Sequence, residues 1–139
     1  MLMGEYAHTL DPKGRVMFPA RLRADLGEHF IIAKGVTECL FVYPLDQWQR
    51  LQDTINALPF SKASALQRYF FSGASEAECD KQGRVLIPAN LRQFAGLDKD
   101  IMIIGASVRA EIWDTIKWER QSADLTPENV KGIMDELGF

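Results

Sequence analysis

Two stretches of the chain carry the same succession of apolar and polar positions. Val16-Met17-Phe18 and Val85-Leu86-Ile87 are short apolar runs suited to strands. Each is closed by a proline, Pro19 or Pro88, which cannot continue a central ladder but suits the first turn of a helix. Ala20–Leu26 and Ala89–Ala95 then read as short helices, stopped by Gly27 and Gly96. Two further apolar strand candidates follow in each half, separated by small or polar residues at 34–38 and 106–109. One unit is thus strand–turn–strand–helix–strand–strand, too thin to bury its own faces. Two such units predict one joint core of α+β class.

Helices fill the connections. Residues 45–58 place Trp48, Leu51, Ile55 and Leu58 at three- and four-residue spacing, an amphipathic pattern. A second helix is predicted at 62–71, with Leu66, Tyr69 and Phe70 apolar. In the tail, Thr126, Pro127 and Glu128 read as an N-cap, an N1 proline and an early acid. Val130, Ile133, Met134 and Leu137 then form one apolar stripe. Core burial is the first expectation for these stripes, and an interface is the second for the tail helix.

The strand–helix units are copies of one another. Residues 11–27, DPKGRVMFPARLRADLG, align without gaps on residues 80–96, DKQGRVLIPANLRQFAG, with nine of 17 positions identical. The shared pattern is D-x-x-G-R-V-x-x-P-A-x-L-R-x-x-x-G. The likeness continues more weakly: residues 30–35 resemble 102–107, and 40–48 resemble 110–118, with Trp48 and Trp118 in register. Internal repetition outranks the other signals. It divides the chain into a first repeat with its following helix (1–60), a connecting helix (61–73), a second repeat (74–121) and a helical tail (122–139).

Composition changes this picture little. The 139 residues are 47% hydrophobic and 25% charged, as in an ordinary globular protein. No apolar run approaches the roughly 20 residues that span a bilayer. The opening residues lack a basic segment followed by an apolar one, so a cytoplasmic protein without a membrane partner is expected. Cys39 and Cys79 do not correspond between the repeats and predict two reduced, partly buried thiols.

Charge adds more. The net charge of −3 argues against a simple basic nucleic-acid binder. Yet residues 119–139 hold two basic and five acidic side chains, so the remainder is neutral. Residues 11–23 carry Lys13, Arg15, Arg21 and Arg23 against Asp11 alone, and residues 80–92 carry Lys81, Arg84 and Arg92 against Asp80. The acid sits in the tail, and the base is concentrated in the repeated segment.

Within each Asp-x-x-Gly-Arg turn, the aspartate can accept hydrogen bonds from nearby amides and the glycine supplies a positive φ. Asp11 and Asp80 therefore read as turn organisers together with Gly14 and Gly83. An acid–base pair completed by His8 is the weaker reading, because no nucleophile, metal-spaced cluster or phosphate-binding glycine loop accompanies it. No catalytic residue, metal or cofactor is expected. Arg15 and Arg84 each follow a glycine at the start of a strand, with Lys13 or Lys81 close by. A turn that lifts a guanidinium into solvent can reach phosphates or guanine edges. A local Asp–Arg pair holding the turn is the equal alternative. Arg23 and Arg92 are expected on a solvated helix face or in salt bridges, with backbone contact as the reading behind these.

The paired D-x-x-x-R elements, Asp11/Arg15 and Asp80/Arg84, each followed by an apolar strand and Pro-Ala-x-Leu-Arg, resemble the MraZ family. These are tandem, single-chain relatives of the AbrB swapped-hairpin DNA-binding fold, and the resemblance covers nearly the whole chain. It implies an AbrB-like β-barrel core flanked by helices. It also implies a nucleoid-associated transcriptional regulator, usually a repressor, of the bacterial division and cell-wall gene cluster. Such proteins assemble into homo-oligomeric rings and bind double-stranded DNA at tandem, guanine-rich short repeats, with no small-molecule substrate. By position, Arg15 and Arg84 become the leading DNA contacts, Lys13 and Lys81 phosphate partners, and Asp11 and Asp80 organisers of the loops. An antitoxin-type protein-interaction module on the same fold is the alternative. The capped, striped tail and the arginines kept in both copies disfavour it.

Overall fold

A computed structural model describes all residues, Met1–Phe139. The chain runs β1 (Glu5–Thr9), β2 (Arg15–Met17), α1 (Ala20–Leu26), β3 (His29–Lys34), β4 (Leu40–Pro44), α2 (Leu45–Asn56) and α3 (Phe60–Phe71). It continues through β5 (Ser75–Glu78), β6 (Arg84–Leu86), α4 (Ala89–Ala95), β7 (Asp100–Gly105), β8 (Ala110–Asp114), α5 (Thr115–Ser122) and α6 (Pro127–Leu137). The α+β class and the two short post-proline helices are as the sequence predicts. Pro19 and Pro88 stand at the N-caps of α1 and α4, and Gly27 and Gly96 close them.

The repeats are interleaved. A six-stranded antiparallel sheet has the order β1-β7-β8-β4-β3-β5, and β2 pairs with β6 in a separate two-stranded ribbon. Only β3–β4 and β7–β8 pair within a repeat; β1 lies on β7 and β4 on β8, across repeats. Reading the order from either end gives equivalent strands, so a pseudo-two-fold axis passes between β4 and β8. The ladders leave β1 and β5 as free edges. They therefore do not close into the single barrel that the resemblance implies, because the Asp-x-x-Gly-Arg turn sends each repeat's first two strands to different sheets.

The core lies between the sheet and the ribbon. Val16, Phe18, Leu22 and Leu26 from the first repeat and Val85, Ile87, Leu91 and Ala95 from the second meet the inward residues of β3, β4, β7 and β8. Strand alternation sends Leu40 and Val42 into this core and Phe41 and Tyr43 to the other face. There, with Cys39, Ile104 and Trp113, they are covered by Trp48 and Leu51 of α2 and Trp118 of α5. The equivalent strands β3 and β7 share one burial pattern. It aligns Phe30 with Ile101, one residue away from the correspondence suggested by the sequence, which followed the paired isoleucines. In a strand, one residue is the difference between faces.

The tail corrects a second expectation. Thr126 caps α6, its hydroxyl accepting from the Asn129 amide, and Pro127 opens the helix. Yet no α6 side chain is buried, and Val130, Ile133, Met134 and Leu137 all stand in solvent. The rear of the sheet is already covered by α2 and α5, leaving this stripe no core to join.

Candidate nucleic-acid interface

Each turn is built around its aspartate. Asp11 Oδ1 accepts from the amides of Lys13 at 2.9 Å and Arg15 at 2.8 Å, while Oδ2 accepts from Arg15 Nε at 2.8 Å. The Asp11 amide donates to the Arg15 carbonyl at 2.8 Å, closing the loop. Asp80 repeats the arrangement with Gln82, Arg84 and Arg84 Nε. In both, amide donation holds the carboxylate's pKa below the ordinary aspartate value, aided by the guanidinium. Gly14 and Gly83 take the left-handed conformation that lets the chain reverse, at φ of 84° and 81°.

The ion pair leaves the arginines available. Only Nε of Arg15 is engaged, and its two terminal amino groups carry no hydrogen bond within the chain. Arg84 keeps the same pair and adds one contact from Nη2 to the Gln82 side-chain oxygen at 3.3 Å. The two readings of these residues, turn-holding pair and outward-reaching cation, are therefore compatible. The carboxylate grips one edge of the guanidinium and orients the other.

The ribbon brings the two turns into one surface. In its register Arg15 stands opposite Leu86, Val16 opposite Val85 and Met17 opposite Arg84. Alternation buries both valines, so Arg15, Met17, Arg84 and Leu86 share the outward face. Arg15 and Arg84 are diagonal neighbours, about 7–8 Å apart in such ladders. Lys13 and Lys81 are exposed in the turns at opposite ends of the ribbon.

A second pair of arginines supports the first. Arg23 and Arg92 enter no ion pair, contrary to expectation; each packs against the other repeat's turn. A Cβ at Gly14 would stand 2.7 Å from Arg92 Cζ, and one at Gly83 would stand 2.9 Å from an Arg23 Nη. Arg92 Nε donates to the Ile87 carbonyl at 3.0 Å, whereas Arg23 Nε is buried with no partner. Backbone ties reinforce the exchange: the Phe18 amide donates to Gly83 O and the Ile87 amide to Gly14 O. A signal was present in the sequence, since Gly14/Gly83 and Arg23/Arg92 are all among the identical positions.

Comparison with known proteins agrees along the whole chain. The family model described as "MraZ protein, putative antitoxin-like" matches residues 1–68 and 70–135. A transcriptional regulator MraZ of Desulfitobacterium hafniense is 56% identical over 140 residues, covering 97% of this chain and 98% of that protein. One from Heliobacterium modesticaldum is 54% identical over 129 residues, covering 91% and 90%. Another, from Acetivibrio thermocellus, is 49% identical over 143 residues and covers both chains completely.

Proposed function

The chain belongs to the MraZ family, and from that premise we propose that it is a DNA-binding transcriptional regulator whose β2–β6 ribbon enters the major groove. A groove about 12 Å wide admits a two-stranded ribbon. Arg15 and Arg84 read guanine edges with their outer nitrogens, Lys13 and Lys81 meet flanking phosphates, and Asp11, Gly14, Asp80 and Gly83 shape the turns. One observation carries the reading: both arginines lie on the same ribbon face, each held at Nε by its own aspartate.

The finer picture follows the family resemblance. The interleaved repeats correspond to AbrB-like swapped hairpins in single-chain form. The protein acts in the cytoplasm on the nucleoid, repressing the promoter of its division and cell-wall gene cluster at tandem, guanine-rich repeats of double-stranded DNA. It does so as a homo-oligomeric ring. Charge supports assembly: a chain of net charge −3 offers few cations to DNA, but a ring presenting the same ribbon repeatedly makes each later contact intramolecular.

The test is a gel-shift titration with the protein's own upstream region. Arg15→Ala and Arg84→Ala should each weaken specific binding while leaving the light-scattering mass unchanged. The salt slope should correspond to several phosphates, about −0.9 for each one neutralised. Unchanged binding in both variants overturns the ribbon assignment, and a mass of one 15.7 kDa chain overturns the ring. A folded protein with no DNA preference at low salt would favour the antitoxin-type module instead.

A further inference from the structure

The ribbon's outward face is only half cationic. Met17 and Leu86 are 40% and 57% exposed, although their neighbours Val16 and Val85 are almost fully buried. Each lies directly across the ladder from an arginine of the other repeat, Leu86 from Arg15 and Met17 from Arg84. Directly opposed side chains in an antiparallel pair have Cβ atoms about 4.5–5.5 Å apart. The face is therefore a two-by-two checkerboard in which every guanidinium has an apolar neighbour directly across the ladder. A scattered exposed apolar residue needs no explanation. Two at equivalent places in both repeats, on the cationic face, call for an apolar partner on an otherwise anionic ligand.

Major-groove DNA offers one such group, the C5-methyl of thymine. We propose that Met17 and Leu86 pack on thymine methyls beside the bases held by the arginines, selecting sites in which thymine neighbours guanine. The inference rests on the reading of Arg15 and Arg84 as base contacts. It assigns the ribbon a second discriminating element that hydrogen bonding does not supply. The occupant is DNA rather than a second copy of the chain, because the patch is framed by Lys13, Arg15, Lys81 and Arg84, whose two acidic neighbours are already engaged within their own turns.

Uracil pairs as thymine does but lacks the methyl, so that group can be removed from the DNA without altering the protein. The upstream region is amplified with dTTP or with dUTP and titrated against the unmodified chain, Met17→Ala/Leu86→Ala, Arg15→Ala and Arg84→Ala. The unmodified chain should bind uracil DNA more weakly by about four-fold for each buried methyl that the substitution removes. The Met17→Ala/Leu86→Ala variant should bind thymine DNA more weakly than the unmodified chain and fail to distinguish the two DNAs. Equal affinity of the unmodified chain for both DNAs overturns the inference, as does full discrimination retained by the double variant. A changed light-scattering mass with discrimination intact would assign the pair to packing between copies and also overturn it. If the arginine variants bind normally, or the unmodified chain does not bind, the parent reading fails. If the arginines matter and the methyls do not, only this inference falls.

Discussion

Arg92 of the second repeat packs against Gly14 of the first, leaving no room for a side chain there: a Cβ would lie 2.7 Å from Cζ and 2.8 Å from Nε. The glycine also sits at φ 84°, where L-residues are strained. Gly14→Ala should therefore cost about 2–3 kcal/mol in urea denaturation, combining backbone strain with displacement of an arginine that donates to Ile87 O. Gly27 provides the control. It has the same φ of 84°, in its case with ψ −177°, but open space around it, so Gly27→Ala should cost only the strain of that glycine-favoured region, about 1–2 kcal/mol. Equal losses at the two sites would remove the argument from close approach.

Acid should loosen the turns. Asp11 and Asp80 have native pKa values depressed chiefly by amide donation from Arg15 and Arg84. A depressed carboxylate contributes stability that is complete above its unfolded value of about 4 and is lost as pH falls through the native value. Protection of the Lys13, Arg15, Gln82 and Arg84 amides, taken relative to the intrinsic exchange rate at each pH, should fall below that pH. In Asp11→Asn, the first turn alone should exchange faster at neutral pH and lose its acid response. NMR-detected exchange would check both.

On the proposed reading, arginine at position 15 performs two tasks with different edges of one group: Nε holds Asp11, and the outer nitrogens meet a base. A lysine has a single ammonium and cannot hold Asp11 while presenting a planar fork to a base. Arg15→Lys is expected to lose about 1–3 kcal/mol of discrimination between matched and mismatched DNA while keeping the salt slope. Competition gel shifts with point-substituted sites measure this; a selectivity equal to wild type would mean that a point charge suffices.

The thiols should differ in reactivity. Burial pushes Cys39 up to about 11, against a smaller opposing effect of the Thr37 hydroxyl, and also raises the half-buried Cys79. At pH 8 only about one Cys39 in a thousand would be thiolate even if solvent could reach it. Iodoacetamide should modify Cys79 first and slowly, and Cys39 only after unfolding, as followed by mass spectrometry.

The tail helix makes a separable contribution. Because α6 buries no side chain, deleting residues 123–139 should leave the thermal midpoint of the remaining fold nearly unchanged. Ile133→Asp places a charge in the exposed stripe and should lower the light-scattering mass if that stripe joins copies. An unchanged mass would exclude it from assembly.

Local structure was legible because it depends on local chemistry. Pro19 and Gly27 bracket one helix, Pro88 and Gly96 its equivalent, and Thr126-Pro127 opens the last. Strand partnership was not. Glu5–Thr9 and Ser75–Glu78 share little sequence, and nothing in either specifies that it pairs with the other repeat or across the chain's middle. The Asp–Arg motif predicted a pair or a ligand contact, but only the placement of Nε against Oδ2 makes the two compatible. Arg23 and Arg92 were visible as repeated residues, yet their packing on the opposite glycine requires the interleaved topology.

That interleaving has a consequence for the kind of target the protein suits. With β2 laddered only to β6, and β1 to β7, an isolated repeat would have to recruit a second polypeptide to complete itself, and its folding would follow concentration. Such a pair of identical chains is bound to strict symmetry, and symmetric readers match palindromes. Covalent fusion releases that constraint. Lys13 corresponds to Gln82 and Arg21 to Asn90, so the two ends of the ribbon are no longer alike. On the proposed reading, a ribbon with unlike ends has a polarity, and such a ribbon can follow sites that all point the same way along a duplex.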